Sequence, residues 1–188
     1  MRNKPHEVPT TASPILNPGV AEFATVAAEF CRFVEQAEGM SRKRFTDTML
    51  KLLPLLYLKA AMLPPYEQTD DLSLETYVTE ETYEVVRLNL ADIMRDWDDY
   101  LDVFVADMAY SDQPIAQHIS EGLADIYQDV KDFAFVCSLG IDATTADAVA
   151  ICRDNFARYW GQTLTNVLRA LHRVRYTEGE EEEEGGEQ

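Results

Sequence analysis

Three aspartates at helical spacing are among the side chains in this sequence that could do chemistry. Asp125, Asp129 and Asp132 follow one another at intervals of four and three residues, so an α-helix would place their carboxylates on one face. Carboxylates arranged in this way can hold a hard cation or take part in acid–base chemistry. The apolar stripe of the same segment lies on the opposite face. The face with the aspartates would then point to solvent, and the carboxylates would simply be hydrated. Both interpretations stay open at this stage.

A second feature is an arginine placed inside an apolar stripe. On a helical wheel Arg153 lies among Val149, Cys152, Phe156 and Trp160. A guanidinium group keeps its charge and therefore needs hydrogen-bond acceptors. Asp98, at the margin of another predicted stripe, is our candidate partner. The pattern predicts either a buried ion pair that sets helix register or a ligand-binding arginine between helices.

The segment after Arg153 combines aromatic and basic residues. Trp160 falls on the buried face, and Gly161 would permit a close helix approach, so we expect core packing or the wall of a pocket. The end of this helix is basic, which complements the helix dipole or forms a patch for an anion or an acidic partner. The basic residues are Arg158, Arg169, His172, Arg173 and Arg175.

Most signatures of cofactor and metal chemistry are missing. The chain has no Gly-rich phosphate loop, no CxxC motif and no Glu-x-x-His pair. Cys31, Cys137 and Cys152 each fall on an apolar stripe, which is typical of buried free thiols. We therefore predict no metal, no cofactor and no catalytic residues. The sequence favours a protein without catalysis but does not decide whether it is an enzyme.

The net charge of −18 restricts the classes of partner. The segment 177–188 holds seven glutamates, and removing these seven of the 18 excess negative charges leaves the body at −11. Such a surface repels the phosphates of nucleic acids and anionic lipids. We expect no nucleic-acid or membrane binding, whereas an unknown protein partner remains possible. The oligomeric state is not readable from the sequence.

The apolar periodicity predicts an all-α fold, an antiparallel bundle of about five helices. These helices are expected at residues 20–38, 41–63, 79–105, 118–139 and 145–176. Pro54 lies inside the second helix and predicts a kink or a break there. Leucines on most sides of that helix indicate a central position. The last helix is the longest and should span the bundle.

The composition divides the chain into three predicted parts. Residues 1–18 form an extended Pro-rich arm, residues 19–176 a single helical-bundle domain, and residues 177–188 a disordered acidic tail. The first residues show no apolar signal segment, and no run reaches the roughly 18 apolar residues that span a bilayer. We therefore expect a cytoplasmic protein.

Three sequence segments together resemble a known bacterial family. They are LLPLLY at residues 52–57, LADIYxD at residues 123–129, and Arg153 followed by YWG at 159–161 and LRALH at 168–172. The combination resembles the family called domain of unknown function 5063, over about residues 20–176. The resemblance implies a compact helical protein without an assigned biochemical role, and it carries over no catalytic residues.

These observations lead to two functional hypotheses. The first is an uncharacterised cytoplasmic, non-catalytic protein-interaction or regulatory module. The second is a small-ligand-binding or enzymatic bundle with a polar site between the fourth and fifth helices. The candidate ligand-binding residues of that site are Arg153, Trp160, Asp98, Asp125 and Asp129.

Overall fold

The computed structural model describes residues 9–69, 76–101 and 115–184. Within these ranges the chain forms α-helices and one small antiparallel sheet. The helices are α1 (Pro18–Glu35), α2 (Arg42–Ala61), α3 (Glu80–Met94), α4 (Ile119–Ser138), α5 (Asp142–Asn155) and α6 (Gly161–Glu184). The all-α bundle predicted from the sequence is confirmed. No helix in the described ranges has the length and apolar character needed to cross a membrane.

Helix α4 lies at the centre of the bundle. It packs against α1, α3, α5 and α6, whereas α2 packs mainly against α1 and α6. The expectation that the second helix is central is therefore wrong. Leu55 and Leu58 on α2 are 40% and 53% exposed. The inner face of α2 is buried through Phe45, Met49, Leu53 and Leu56.

Helix α2 runs without interruption through Pro54. Of the kink and the break that the sequence allows, the break does not occur. Proline has no backbone N–H to donate to the carbonyl oxygen of Leu50, four residues earlier. Because Pro54 is exposed, that carbonyl lies on a side of the helix that water can reach.

The third helix ends earlier than its apolar period predicts. Helix α3 stops at Met94, and Arg95 takes a positive φ of 49°. A 3-10 turn (Arg95–Trp97) leads into strand β1 (Asp99–Leu101), which pairs antiparallel with β2 (Ala116–His118). Three-residue strands are too short to show the alternation by which a strand is recognised in sequence. The predicted end of the helix at 102–105 lies outside the described residues.

The long C-terminal helix is confirmed, with one irregularity. Helices α5 and α6 are joined through a π-helical turn, Phe156–Trp160. The backbone N–H of Gly161 donates to the carbonyl oxygen of Phe156, and a Cβ atom at Gly161 would lie 2.4 Å from that oxygen. Gly161 is thus required by the turn itself. The close helix approach expected there occurs instead at Gly122, where a Cβ would lie 2.6 Å from Cγ2 of Val167.

The structure describes residues 9–18 of the expected arm and residues 177–184 of the expected tail. The backbone N–H of Thr10 donates to the carbonyl of Pro65 at 2.7 Å, and Oγ of Ser13 donates to Asp142 at 2.7 Å. The described part of the arm therefore lies on the body, while residues 1–8 are outside the description. Helix α6 extends to Glu184, into the segment expected to be a disordered tail.

Candidate functional site

A cleft of about 360 Å³ separates the facing sides of α4 and α5. Each helix contributes residues three or four positions apart, so one face of each helix forms a wall. The polar lining residues are Thr76, Gln128, Asp129, Asp132 and Asn155, and the apolar ones are Phe133, Val136, Ala148, Ile151 and Cys152.

Asp129 is the half-buried carboxylate that connects the two walls. It accepts a hydrogen bond of 2.6 Å from Nδ2 of Asn155. Burial raises the pKa of Asp129, the bond from Asn155 opposes this shift, and the negative charges of Asp132 and Asp125 add to it. The ionised carboxylate is therefore only partly compensated by its surroundings.

Asp132 joins the cleft to the segment before α3. One of its oxygens accepts the backbone N–H groups of Tyr77 and Val78, at 2.7 and 2.8 Å. Burial raises the pKa of Asp132, while these two bonds lower it. Beside the cleft the exposed rings of Tyr77 and Phe135 stack with centroids 4.2 Å apart.

The apolar wall continues into the protein core. The ring of Phe133 lies 4.8 Å from that of Phe23, which in turn stacks on Trp160 at 6.5 Å. Cys152, on the same wall, is buried, and this burial raises its pKa well above the ordinary value for a thiol. A neutral buried thiol is a poor nucleophile.

Two of the predicted site residues have structural partners outside the cleft. Asp125 is exposed and accepts a hydrogen bond of 2.8 Å from the hydroxyl of Tyr83. Asp98 binds the start of α4: its Oδ1 accepts the backbone N–H of Ser120 at 2.7 Å, and its Oδ2 accepts the Ser120 hydroxyl at 2.6 Å. The carboxylate that we expected to pair with Arg153 is therefore engaged by Ser120.

Two more of the predicted site residues, Arg153 and Trp160, also lie away from the cleft walls. Arg153 is half-buried and, at about 100° per residue, is turned away from the face that carries Cys152 and Asn155. Trp160 is 1% exposed and stacks against Phe23, as core packing predicts. Of the five predicted site residues, the cleft contains Asp129.

Sequence reasoning missed the residues that complete the site. Asn155, Gln128 and Thr76 were not singled out, because single amides and hydroxyls carry no motif. One signal was available, since Asn155 follows Ala148 and Cys152 at seven and three residues and so shares their helix face. Among the described residues no group of three or more His, Cys, Asp or Glu could hold a metal ion. The three aspartates therefore do not form a cation cage.

Comparison with known proteins places the chain in a family. The family model described as "Domain of unknown function (DUF5063)" matches residues 15–177. The chain belongs to this family. The resemblance inferred from its sequence segments is thereby confirmed.

A solved structure supports the same fold for this DUF5063 chain. The crystal structure of protein BF1032 from Bacteroides fragilis is 56% identical, with a TM-score of 0.78. The match covers 87% of this chain and 96% of that chain. A search of curated proteins finds no match.

Proposed function

We propose that this protein binds a small organic cation, an amine with a short apolar body, in the cleft between α4 and α5. One observation carries the proposal. Asp129 and Asp132 both have pKa values raised by burial, and both face a cavity whose described walls contain no Lys, Arg or His. The volume of about 360 Å³ is within the range of roughly 300–1,000 Å³ for small-molecule sites.

The electrostatics of the cleft favour a positive ligand. A partly desolvated carboxylate is stabilised by an opposite charge nearby, and an ammonium group would add charge-assisted hydrogen bonds. An anionic ligand would face two carboxylates instead. The wall of Phe133, Val136 and Ile151 offers contacts for an alkyl or ring portion of the ligand.

The hydrogen bonds of the cleft support binding without turnover. Asp129 is bonded to a side-chain amide and Asp132 to backbone amides. Neither of these arrangements activates a nucleophile, and burial keeps Cys152 protonated.

The proposal is tested by titrating the protein with n-hexylammonium, n-hexanol and hexanoate, using calorimetry. The three probes share an apolar body and differ in charge. We expect n-hexylammonium to bind most tightly and Asp129→Asn to weaken its binding by about tenfold, the size of one charge-assisted hydrogen bond.

The matched control is Asp154→Asn, because Asp154 lies on the same helix as Asn155 but is exposed and pairs with Arg158. It should bind n-hexylammonium as the unaltered protein does. Equal affinity for the alcohol, or unchanged binding in Asp129→Asn, would refute the proposal.

The interaction module inferred from the sequence is a second candidate function. The specific observation in its favour is an exposed apolar and basic face on α2. This interaction function is compatible with the ligand site, because no residue of α2 lines the cleft between α4 and α5.

A further inference from the structure

A single stripe of exposed residues runs along the outside of α2. We call it the outer stripe, and it consists of Arg44, Lys51, Leu55, Leu58 and Met62. Successive members are seven, four, three and four residues apart, so they form one line along the helix. The three apolar members are 40%, 53% and 61% exposed. At about 1.5 Å per residue the outer stripe is roughly 27 Å long.

The outer stripe lies opposite the buried face of the same helix. Phe45, Met49, Leu53 and Leu56 fill the core, each at 0% exposure. A surface helix ordinarily presents polar residues on its far side. Apolar residues there at alternating intervals of three and four have the spacing of a seam that packs against another helix.

Helix α2 is also the basic element of an acidic protein. It contains five of the chain's 16 Lys and Arg and one of its 34 Asp and Glu. Lys59 pairs with Glu22 at 2.6 Å, and Arg42 lies 5.5 Å from the ring centre of Trp97. Within the described residues, Lys43, Arg44 and Lys51 take part in no ion pair with the protein's own carboxylates.

We propose that the outer stripe is a docking site for an acidic amphipathic helix of a partner protein. Charge complementarity selects this occupant. Glutamates of the partner would face Lys43, Arg44 and Lys51 at one end, and its leucines would cover the three apolar residues at the other. A second copy would bring another body of strong negative charge, and an anionic membrane would be repelled by the same charge.

The test uses a blocked, fluorescently labelled peptide of about 18 residues, with leucines on a heptad seam and glutamates beside them. A scrambled peptide of identical composition controls for charge alone. We expect saturable binding of the seam peptide, measured by anisotropy. The double variant Leu55→Ala/Leu58→Ala should weaken it by at least about tenfold, because apolar contact area is lost. Lys51→Glu should weaken it and reduce its dependence on salt.

A matched control exists on α3, where Val85 and Leu88 are 53% and 56% exposed. The variant Val85→Ala/Leu88→Ala should bind the seam peptide normally, and circular dichroism should show all variants folded. Equal affinity for the scrambled peptide, or an equal loss in the α3 variant, would overturn the proposal.

Two further measurements would also overturn it. One is a dimer in sedimentation that Leu55→Ala/Leu58→Ala abolishes, and the other is binding to phosphatidylserine–phosphatidylcholine vesicles that the same variant removes. Binding of n-hexylammonium should be unchanged in every α2 variant. A failure of the docking proposal can therefore be told apart from a failure of the proposed ligand binding in the cleft.

Discussion

Asn155 donates a hydrogen bond to Asp129 over 2.6 Å and so ties α5 to α4 at the residue immediately before the π turn. The bond holds the two polar walls of the cleft in register. A π turn inserts an extra residue into a helix and shifts the face of everything beyond it. Here the π turn follows Asn155, the last residue of α5 that lines the cleft. The turn therefore changes the face that α6 presents to the core and leaves the lining residues of α5 in place.

The raised pKa of Asp129 predicts how stability responds to pH. Its ordinary value is 3.8, and burial raises it in the folded state. From pH 3.8 up to the raised pKa the folded state binds more protons than the unfolded state, so stability falls as the pH rises through that window. Asp129→Asn removes this dependence. We expect the variant to be more stable than the unaltered protein at pH 7, with an advantage that shrinks as the pH falls from the raised pKa to 3.8.

Urea unfolding at a series of pH values measures this difference. Asp154→Asn, at an exposed position, should show no comparable change. An advantage of Asp129→Asn that grows on acidification would contradict the assignment.

Because Asp98 contacts Ser120, replacing Asp98 should destabilise the start of α4, although the two residues are remote in sequence. The carboxylate satisfies the backbone N–H of Ser120 in the first turn of α4, as an N-cap residue does. We expect Asp98→Ala to reduce the free energy of unfolding by about 1–2 kcal/mol. Asp96→Ala, at an exposed neighbouring position, is the control, and an equal loss there would show that Asp98 does not act through α4.

Replacing Gly122 should reduce stability, and a second substitution at the residue it contacts should reverse part of the loss. A Cβ at this position meets the Cγ2 atom of Val167 at 2.6 Å. Gly122→Ala should cost about 1–3 kcal/mol by overpacking. In a Val167→Ala background the cost of the same change should fall, which a double-mutant cycle measures as a coupling energy. Strictly additive effects would exclude the contact.

Replacing Gly161 should also reduce stability, but shortening the neighbouring side chain should restore less of the loss than it does for Gly122. Here the added Cβ meets the carbonyl oxygen of Phe156 at 2.4 Å, together with its ring at 2.9 Å. Gly161→Ala should again cost about 1–3 kcal/mol. Because the backbone oxygen stays in place, Phe156→Leu should recover little of this loss. Full recovery in the double variant would mean that the ring, and not the π turn, requires glycine.

The three thiols should react only when the protein unfolds. Burial raises the pKa values of Cys31 and Cys137 to about 12, and it raises the pKa of Cys152 well above the ordinary value for a thiol. A disulfide reagent at pH 8 should therefore label the folded protein slowly and label all three thiols in concentrated urea. Rapid reaction of one thiol in the folded state would identify a reactive cysteine and reopen the question of catalysis.

Local sequence patterns were sufficient for some elements and not for others. The stripe of α4 gave element type and approximate bounds, because amphipathic period is a property of a few neighbouring residues. The early end of α3 and the strand pair at Asp99–Leu101 were missed, since three residues carry no period. A cleft lies between α4 and α5, the helices to which the sequence assigned its alternative ligand site, and of the polar lining of this cleft only Asp129 was among the candidate site residues.

The sequence by itself determined the all-α class, the family and the acidic charge, and it showed which faces of the helices are apolar. Tertiary structure alone decided that α4 and not α2 is central, that Asp98 caps α4, and that Asn155 meets Asp129. The physical reason is that periodicity shows which face of a helix is apolar but not what covers it. Helix α2 has two such faces, and packing buries one of them and leaves the outer stripe exposed.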